Sequence, residues 1–272
     1  MAELINNITC RPRRVQAIFN VLKKVDKSDS KNFYKYFCST EITIEETLQG
    51  CELIGLIKRQ NDQICLTNEY EACDDWNGAR KKIALNILSA RNKDDHNYRF
   101  CQFYGWLINY KATIIRPNDY VKLAEAHNRE LNLSSETGMN KIKVERAQDW
   151  AVELGLGWWW KDPCLRFEAI PTEFIEWLLP ELLEDNPIEG TAFIDKVSNL
   201  APWIASSTKI NNKTQELSSG LSQSLRQLHE TNKIKLITSR DALSITQFNN
   251  LGFQNNDIGY SFCQISKPGV LQ

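Results

Sequence analysis

Long apolar runs are missing from this sequence of 272 residues. No stretch approaches the roughly 20 apolar residues that a membrane-spanning helix needs, and the first residues lack the apolar segment of a signal peptide. We therefore expect a cytoplasmic protein with no membrane partner. Excess charge is missing as well, because 33 lysines and arginines face 34 aspartates and glutamates. This balance excludes a histone-like protein that coats nucleic acid through a large surplus of cations.

Histidines are few, and the cysteines are not grouped for metal binding. The chain has three histidines and eight cysteines, with no C-x-x-C pair and no cysteine–histidine pair at zinc-ligand spacing. Cys51 and Cys65 fall at positions with an apolar pattern. We expect reduced, buried thiols and no disulfide framework, metal site or cofactor.

Sequence motifs of common enzymes are also absent. The chain has neither G-x-x-x-x-G-K-[ST] nor G-x-G-x-x-G for nucleotide phosphates, and no G-x-S-x-G for a nucleophilic serine. Active sites also assemble from distant residues, so this absence does not exclude catalysis. It favours a protein that is not an enzyme.

Residues 12–70 carry the first structural pattern, three short helices followed by a hairpin. The second helix is predicted through Phe33, Phe37 and Cys38. The third is predicted to begin after Thr43, with a capping-box glutamate three residues on, and to end at Gly55. Two short strands joined by a polar turn follow.

This order resembles the winged-helix domain, and its most specific part runs from Thr43 to Thr67. The resemblance implies that the third helix enters the major groove of DNA and that the hairpin, or wing, touches the backbone. Many winged-helix domains bind proteins instead.

The same order returns twice along the chain, which we interpret as a loose internal repeat. In the third copy, residues 205–217 are predicted to form a polar loop. The long connection 241–259 is predicted to contain a short helix, with the strand around 261–265 pairing back to Ile234-Lys235-Leu236. The expected fold is therefore mainly α with small β-hairpins, an α+β class of tandem winged-helix repeats joined by linker helices. The predicted segments are domains 1–76, 98–172 and 189–272, a linker helix at 77–97 and an acidic linker helix at 173–188.

The end of the chain carries a further resemblance. Leu221-Ser222-Gln223-Ser224-Leu225-Arg226-Gln227-Leu228 precedes Ile234-Lys235-Leu236 and Ser239-Arg240-Asp241-Ala242. With three wing-like units, this layout is similar to the DpdG-type accessory component of bacterial DNA 7-deazaguanine modification clusters, which are encoded in phage-defence islands. The resemblance implies a small DNA-binding or scaffold subunit in antiviral defence, beside helicases or modifying enzymes that supply the chemistry.

Charge is distributed unevenly despite the neutral total. Residues 1–40 hold eight lysines and arginines and three acids, whereas residues 168–195 hold eight acids and no lysine or arginine. Such runs on helices are typical of a solvated face. As functional surfaces, the basic run would face phosphate and the acidic run would face a protein partner.

The three predicted third helices differ in their polar residues. In the first copy, the carboxylates of Glu45, Glu46 and Glu52 repel phosphate, so we expect this helix to contact protein. The other two copies carry cations, amides and hydroxyls that can hydrogen-bond phosphates and base edges. The candidate DNA-binding residues are Arg13, Arg14, Lys141, Lys143, Arg146, Ser222, Gln223, Arg226 and Gln227.

Three consecutive tryptophans, Trp158 to Trp160, form the most unusual local feature. In a strand, Trp158 and Trp160 share one face and Trp159 takes the other, so at least one indole leaves the core of its own domain. Packing against the neighbouring linker helix, anchoring a protein partner and stacking on nucleic-acid bases all stay open. The candidate partner-binding residues are Trp158, Trp159, Trp160, Glu181 and Glu184.

The leading hypothesis is a non-catalytic DNA-binding subunit of a larger bacterial DNA-processing or defence assembly. Its partners would be double-stranded DNA and the other proteins of that assembly. The alternative is a protein-protein interaction scaffold without direct DNA binding. A regulator that binds a small ligand between domains is a third hypothesis, for which the sequence shows no pocket.

Replacing Lys143 or Arg226 by glutamine is expected to weaken binding to duplex DNA. Each loss of a phosphate contact also lowers the slope of log affinity against log salt concentration by about 1. Fluorescence anisotropy with labelled duplex at low and near-physiological salt measures both quantities. Unchanged affinity would remove that residue from the predicted interface.

Overall fold

The computed structural model describes residues 6, 10–25, 27–29, 33–110, 114–134, 136–161, 164–183, 187–205, 209–211, 214–238, 245–248, 259–260 and 262–265. In these ranges helices dominate and the strands are short, which confirms the predicted mainly α class with small hairpins. None of these helices is both long enough and apolar enough to cross a membrane.

The helices, numbered α1 to α11 in chain order, are Pro12–Val25, Glu41–Leu53, Asn68–Glu71, Trp76–Leu88, Tyr98–Leu107, Tyr120–Glu130, Lys141–Glu153, Thr172–Leu182, Gly190–Leu200, Pro202–Ala205 and Ser219–Glu230. The strands, β1 to β13, are Lys27–Asp29, Ile57–Gln60, Gln63–Leu66, Ile114–Ile115, Trp158–Trp160, Arg166–Glu168, Ile188–Glu189, Lys209–Asn211, Thr214–Glu216, Ile234–Ile237, Ile245–Gln247, Gly259–Tyr260 and Phe262–Ile265. Short 3-10 turns occur at Tyr34–Tyr36 and Pro117–Asp119.

The chain divides into two compact units. Unit 1 contains residues 1–101 and 118–154, and unit 2 contains residues 102–117 and 155–272. Helix α5 begins in unit 1 and ends in unit 2. The division into three winged-helix domains with two linkers stays a prediction.

Helix α2 of unit 1 begins earlier than predicted. The Thr40 side chain accepts a hydrogen bond from the Thr43 backbone N–H at 3.3 Å, so Thr40 is the N-cap. The predicted capping box starting at Thr43 is therefore wrong, because Thr43 already lies in the first turn. The predicted end of the helix is confirmed, since Gly55 follows it with a φ of +71°.

The β2–β3 hairpin follows α2 directly, as predicted. Its two-residue turn, Asn61-Asp62, has positive φ at both positions, which matches the right-handed twist of the flanking strands. Strand β1 pairs with the other edge of β3, so the antiparallel sheet has the order β1-β3-β2. The helix predicted through Phe37 and Cys38 is wrong there, because the chain after Phe33 makes only a 3-10 turn.

Helix α7 packs in unit 1 through a fully buried tryptophan. The Asn140 side chain caps α7 by accepting a hydrogen bond from the Lys143 backbone N–H at 2.9 Å. Inside, Trp150 Nε1 donates to the Cys10 carbonyl at 3.1 Å. Near the end of α7, Glu153 accepts a 2.6 Å hydrogen bond from the indole of Trp76, the first residue of α4. These bonds hold α1 and α4 against α7.

The sheet β4-β6-β5 of unit 2 carries the three tryptophans. Strand β5 pairs antiparallel with β6, and Trp159 lies opposite Phe167. The ring centroids of this pair are 5.5 Å apart in an edge-on arrangement. Gly155, three residues before β5, has a φ of +69° and leaves a Cβ no room beside the Phe174 backbone.

The rest of unit 2 places α8 against α9 and α11. The predicted acidic linker helix is thus a helix whose apolar face, including Phe174 and Leu178, is buried. Strands β10 and β13 pair antiparallel, which confirms the predicted strand partners.

The structure bears on the two connections predicted for the third copy, 205–217 and 241–259. The predicted polar loop 205–217 is wrong in part, because it contains the β8–β9 hairpin. Most of the helix predicted within 241–259 lies outside the described residues. The described residues 245–248 include β11, which pairs parallel with β9.

Gly155→Ala is expected to destabilise the protein more than Gly55→Ala. Both substitutions force a side chain into the left-handed region, at a cost of roughly 1–2 kcal/mol. A Cβ at Gly55 meets nothing closer than 3.8 Å, whereas one at Gly155 lies 2.9 Å from the Phe174 nitrogen, which adds about 1–3 kcal/mol of overpacking. Urea unfolding followed by circular dichroism measures both; equal costs would contradict the packing argument.

Candidate nucleic-acid interface

Four arginines from two distant segments come together in unit 1. We call Arg11, Arg13, Arg14 and Arg146 the arginine cluster. The first three are exposed at the start of α1, and Arg146 is buried on α7, which contacts α1. The positive charges of Arg11 and Arg14 act on the Arg146 guanidinium. The structure thus joins residues that the sequence assigned to two separate domains.

The start of α1 adds to the positive character of the cluster. Pro12 is the first helical residue, and the first turn contains no acidic side chain. The unpaired backbone N–H groups of a helix N-terminus carry partial positive charge and favour anions. Arginines 11, 13 and 14 therefore project from a helix end that itself attracts phosphate.

Arg146 is buried without complete pairing. Only 5% of its surface is exposed, and its Nε and Nη1 atoms have no hydrogen-bond partner among the described residues. Asp149 Oδ2 lies 3.6 Å from Nη1, too far for a hydrogen bond. Burial lowers the pKa of Arg146, and the charge of Arg11 lowers it further. An arginine nevertheless stays protonated at neutral pH.

The carboxylates near the cluster do not cancel its charge. Burial raises the pKa of Asp149, while Arg11 and Arg146 oppose that increase. Glu145 is the other acid that acts on Arg146. Among the described residues, the four arginines of the cluster therefore outnumber the two carboxylates that act on Arg146.

The two candidate lysines of α7 differ in accessibility. Lys141 is exposed at the first helical position. Lys143 is half-buried, and its Nζ donates a 2.9 Å hydrogen bond to the Gly138 carbonyl. A phosphate contact by Lys143 therefore competes with an existing hydrogen bond.

The candidate residues on α11 lie in unit 2 and are largely packed. Ser222 is buried with 1% of its surface exposed, which does not suit contact with DNA. Gln223 is half-buried. The Arg226 guanidinium lies 4.7 Å above the Phe248 ring centre, and Gln227 accepts a 2.6 Å hydrogen bond from the Thr172 hydroxyl.

An open groove of about 620 Å³ in unit 2 collects all three consecutive tryptophans. We call it the tryptophan groove; it is lined by Trp158, Trp159, Trp160, Thr172, Glu176, Gln227, Leu228, Thr231 and Lys233. Gln227 and the tryptophans, predicted for different partners, thus share one surface. Glu181 is exposed on α8 and does not line the groove. Glu184 lies outside the described residues.

Two glutamates of the acidic helix α2 pair with an arginine of the hairpin that follows it. Arg59 on β2 pairs with Glu45 at 2.8 Å and with Glu52 at 3.0 Å on α2. The hydrogen bond from Arg59 holds the pKa of Glu45 below its usual range. The arginine of this hairpin is therefore paired with carboxylates of α2.

The described cysteines are free, and four of the seven are buried. Burial raises the pKa of the Cys10 thiol to about 12. Cys38 and Cys164 are exposed, so the prediction of buried thiols is wrong for these two. No group of three metal-binding side chains occurs within the described ranges.

The fold and the arginine cluster define a mainly helical protein with a local basic surface suited to anions. A family model described as DpdG-like matches residues 2–242, most of the chain. The chain therefore belongs to the DpdG-like family, which confirms the resemblance drawn from its sequence. Membership supports the role of an accessory component in a multi-component DNA-modification cluster. No curated protein and no solved structure matches the chain.

Sequence reasoning missed Arg11 as a site residue, although it stands in the same basic run as Arg13 and Arg14. It also missed two residues that border the tryptophan groove, Glu176 on α8 and Lys233 in the turn after α11. No local signal marks these, because three separate segments build the groove.

Arg146→Met is expected to leave the stability of unit 1 nearly unchanged while weakening anion binding. A buried charge that is not fully paired is costly, so replacing it by an apolar side chain of similar length should lose little stability. We expect a change in unfolding free energy below about 1 kcal/mol, measured by urea unfolding. A loss of roughly 3 kcal/mol or more would mark Arg146 as a structural ion-pair residue instead.

Proposed function

We propose that this chain is a non-catalytic DNA-binding subunit of a larger DNA-modification or defence assembly. The observation that carries the proposal is the arginine cluster of unit 1, in which exposed Arg11, Arg13 and Arg14 lie at a helix N-terminus beside buried Arg146. The other proteins of the assembly supply the chemistry.

A DNA phosphate would lower the repulsion among the arginines of the cluster. Like charges at Arg11, Arg14 and Arg146 repel one another, and an anion between the exposed guanidiniums relieves that repulsion. Arginine also offers paired N–H donors that fit two phosphate oxygens at once. The buried Arg146 acts by strengthening the local positive potential rather than by touching the phosphate.

The order of elements supports the same location. In the second copy, α5, β4, α6, α7 and the β5–β6 hairpin follow in the order expected of a winged helix. On that interpretation α7 holds the place of the helix that enters the major groove. Lys141 lies at its first turn, and Arg146 faces the start of α1.

The neutral total charge limits how the chain binds DNA. With a net charge of −1, attraction to phosphate is confined to the basic face. Three exposed arginines imply about three phosphate contacts and hence a modest salt dependence. The subunit therefore contacts a short stretch of duplex and depends on its assembly for further affinity.

The test is the double variant Arg13→Gln/Arg14→Gln in the full chain. Both side chains are exposed, so folding should be unaffected. We expect weaker binding to labelled duplex and a salt slope lower by about 2, since each lost phosphate contact removes about 1. Fluorescence anisotropy over roughly 50–200 mM salt gives both values.

The matched control is Lys93→Gln/Lys122→Gln, which removes the same charge from exposed positions outside the arginine cluster. It should bind duplex with nearly wild-type affinity and slope. Equal losses in both double variants would mean that only total charge matters, and the assignment of the cluster would fail.

A protein-interaction scaffold without direct DNA binding is the second candidate. It is favoured by the first copy, where Arg59 is paired with both Glu45 and Glu52. Absence of duplex binding by the wild-type chain even at low salt would support this function instead. Crosslinking within the intact assembly would then identify the contacted subunits.

A further inference from the structure

We propose that the tryptophan groove of unit 2 binds the base of an unpaired nucleotide. The proposal extends the proposed function, with which it shares nucleic acid as the ligand, but it concerns different residues in a different unit. The arginine cluster contacts duplex phosphates, whereas the groove takes a single planar ring.

The size and lining of the groove suit one nucleotide. Its volume of about 620 Å³ lies within the roughly 300–1,000 Å³ of small-molecule sites. The three tryptophan residues and Leu228 make most of the wall apolar, and the polar groups lie among them. A flat, apolar-faced ligand with a polar edge matches this distribution.

The tryptophans provide a stacking surface that is already formed. Trp158 and Trp160 lie edge to face, with ring centres 6.4 Å apart. Trp159 is held by its contact with Phe167. Trp160 keeps 44% of its surface exposed, and the Arg166 guanidinium lies 5.5 Å from its ring centre. Indoles fixed in this way stack with a base at little cost in side-chain entropy.

The polar groups suit the edge and the phosphate of a nucleotide. The Thr172 hydroxyl donates to Gln227 Oε1 at 2.6 Å, which orients the amide and leaves its Nε2 group as a donor. Lys233 pairs with Glu176 at 2.7 Å but stays half-exposed. Its ammonium can contact a phosphate without leaving the groove, while the Glu176 carboxylate accepts hydrogen bonds from ring N–H groups.

The test uses the full chain, a labelled short strand of deoxythymidine and an abasic strand with the same number of phosphates. Wild type should bind the deoxythymidine strand more tightly than the abasic strand. Trp160→Ala should lower affinity for the deoxythymidine strand about tenfold, the size expected for one lost base stack. Its affinity for the abasic strand should not change.

Leu165→Ala is the matched control. Leu165 precedes β6 and is as exposed as Trp160, at 44%, but does not line the groove. It should bind both strands like wild type. Circular dichroism of the two variants checks that each is folded.

Competition with free deoxythymidine monophosphate separates two sources of the base. If the free nucleotide displaces the labelled strand at a concentration similar to that of an unlabelled strand, the groove takes a free nucleotide. If only an unlabelled strand displaces it, the groove takes an unpaired base of DNA. Both results support the proposal. Equal binding of abasic and deoxythymidine strands, or full affinity in Trp160→Ala, overturns it and leaves the groove to a protein partner.

Duplex measurements keep this proposal separate from the proposed function. If the Arg13→Gln/Arg14→Gln variant binds duplex like wild type but Trp160→Ala loses single-strand affinity, the assignment of the arginine cluster is wrong and that of the groove is supported. If the double variant loses duplex affinity but Trp160→Ala binds the single strand like wild type, only the assignment of the groove is wrong.

Discussion

The buried hydrogen bond from the Trp150 indole to the Cys10 carbonyl is the constraint on which the candidate interface depends. Trp150 has no exposed surface, so an unpaired indole N–H there would lose its solvation without compensation. Because α1 begins two residues after Cys10, this bond fixes the start of α1 against α7. The exposed arginines at 11, 13 and 14 are thereby held beside the buried arginine of α7.

Charge works locally in this protein. The sums of positive and negative residues almost cancel over the chain. The two signs are nevertheless distributed unevenly, so that some arginines are paired with carboxylates and others lie beside arginines. On the first hairpin, Arg59 is enclosed between two glutamates of α2. In the arginine cluster, Arg146 feels the charges of two carboxylates and of two arginine neighbours, and the Asp149 carboxylate is 3.6 Å away. A local excess of one sign, rather than the net charge, marks a surface for an anion.

Local sequence patterns correctly predicted structural features that depend on only a few neighbouring residues. Gly55 ends α2 because a left-handed residue is needed there, and Asn61-Asp62 makes the hairpin turn for the same reason. The start of α2 was misplaced because Thr40 and Thr43 are both acceptable N-caps by composition. The helix predicted through Phe37 does not form there, because the backbone becomes extended at Phe37 after the 3-10 turn.

The sequence by itself determined most of the helices, the hairpin after α2 and the two unusual compositions, a basic start and three consecutive tryptophans. These follow from apolar periodicity, capping and turn residues, which act over a few positions. Only the tertiary structure decided that Arg146 joins the arginines of α1, that Ser222 is buried, and that Trp158–Trp160 share a groove with Gln227 and Lys233. Those outcomes depend on which helices pack together, and packing joins residues too far apart in the chain for any local pattern to connect.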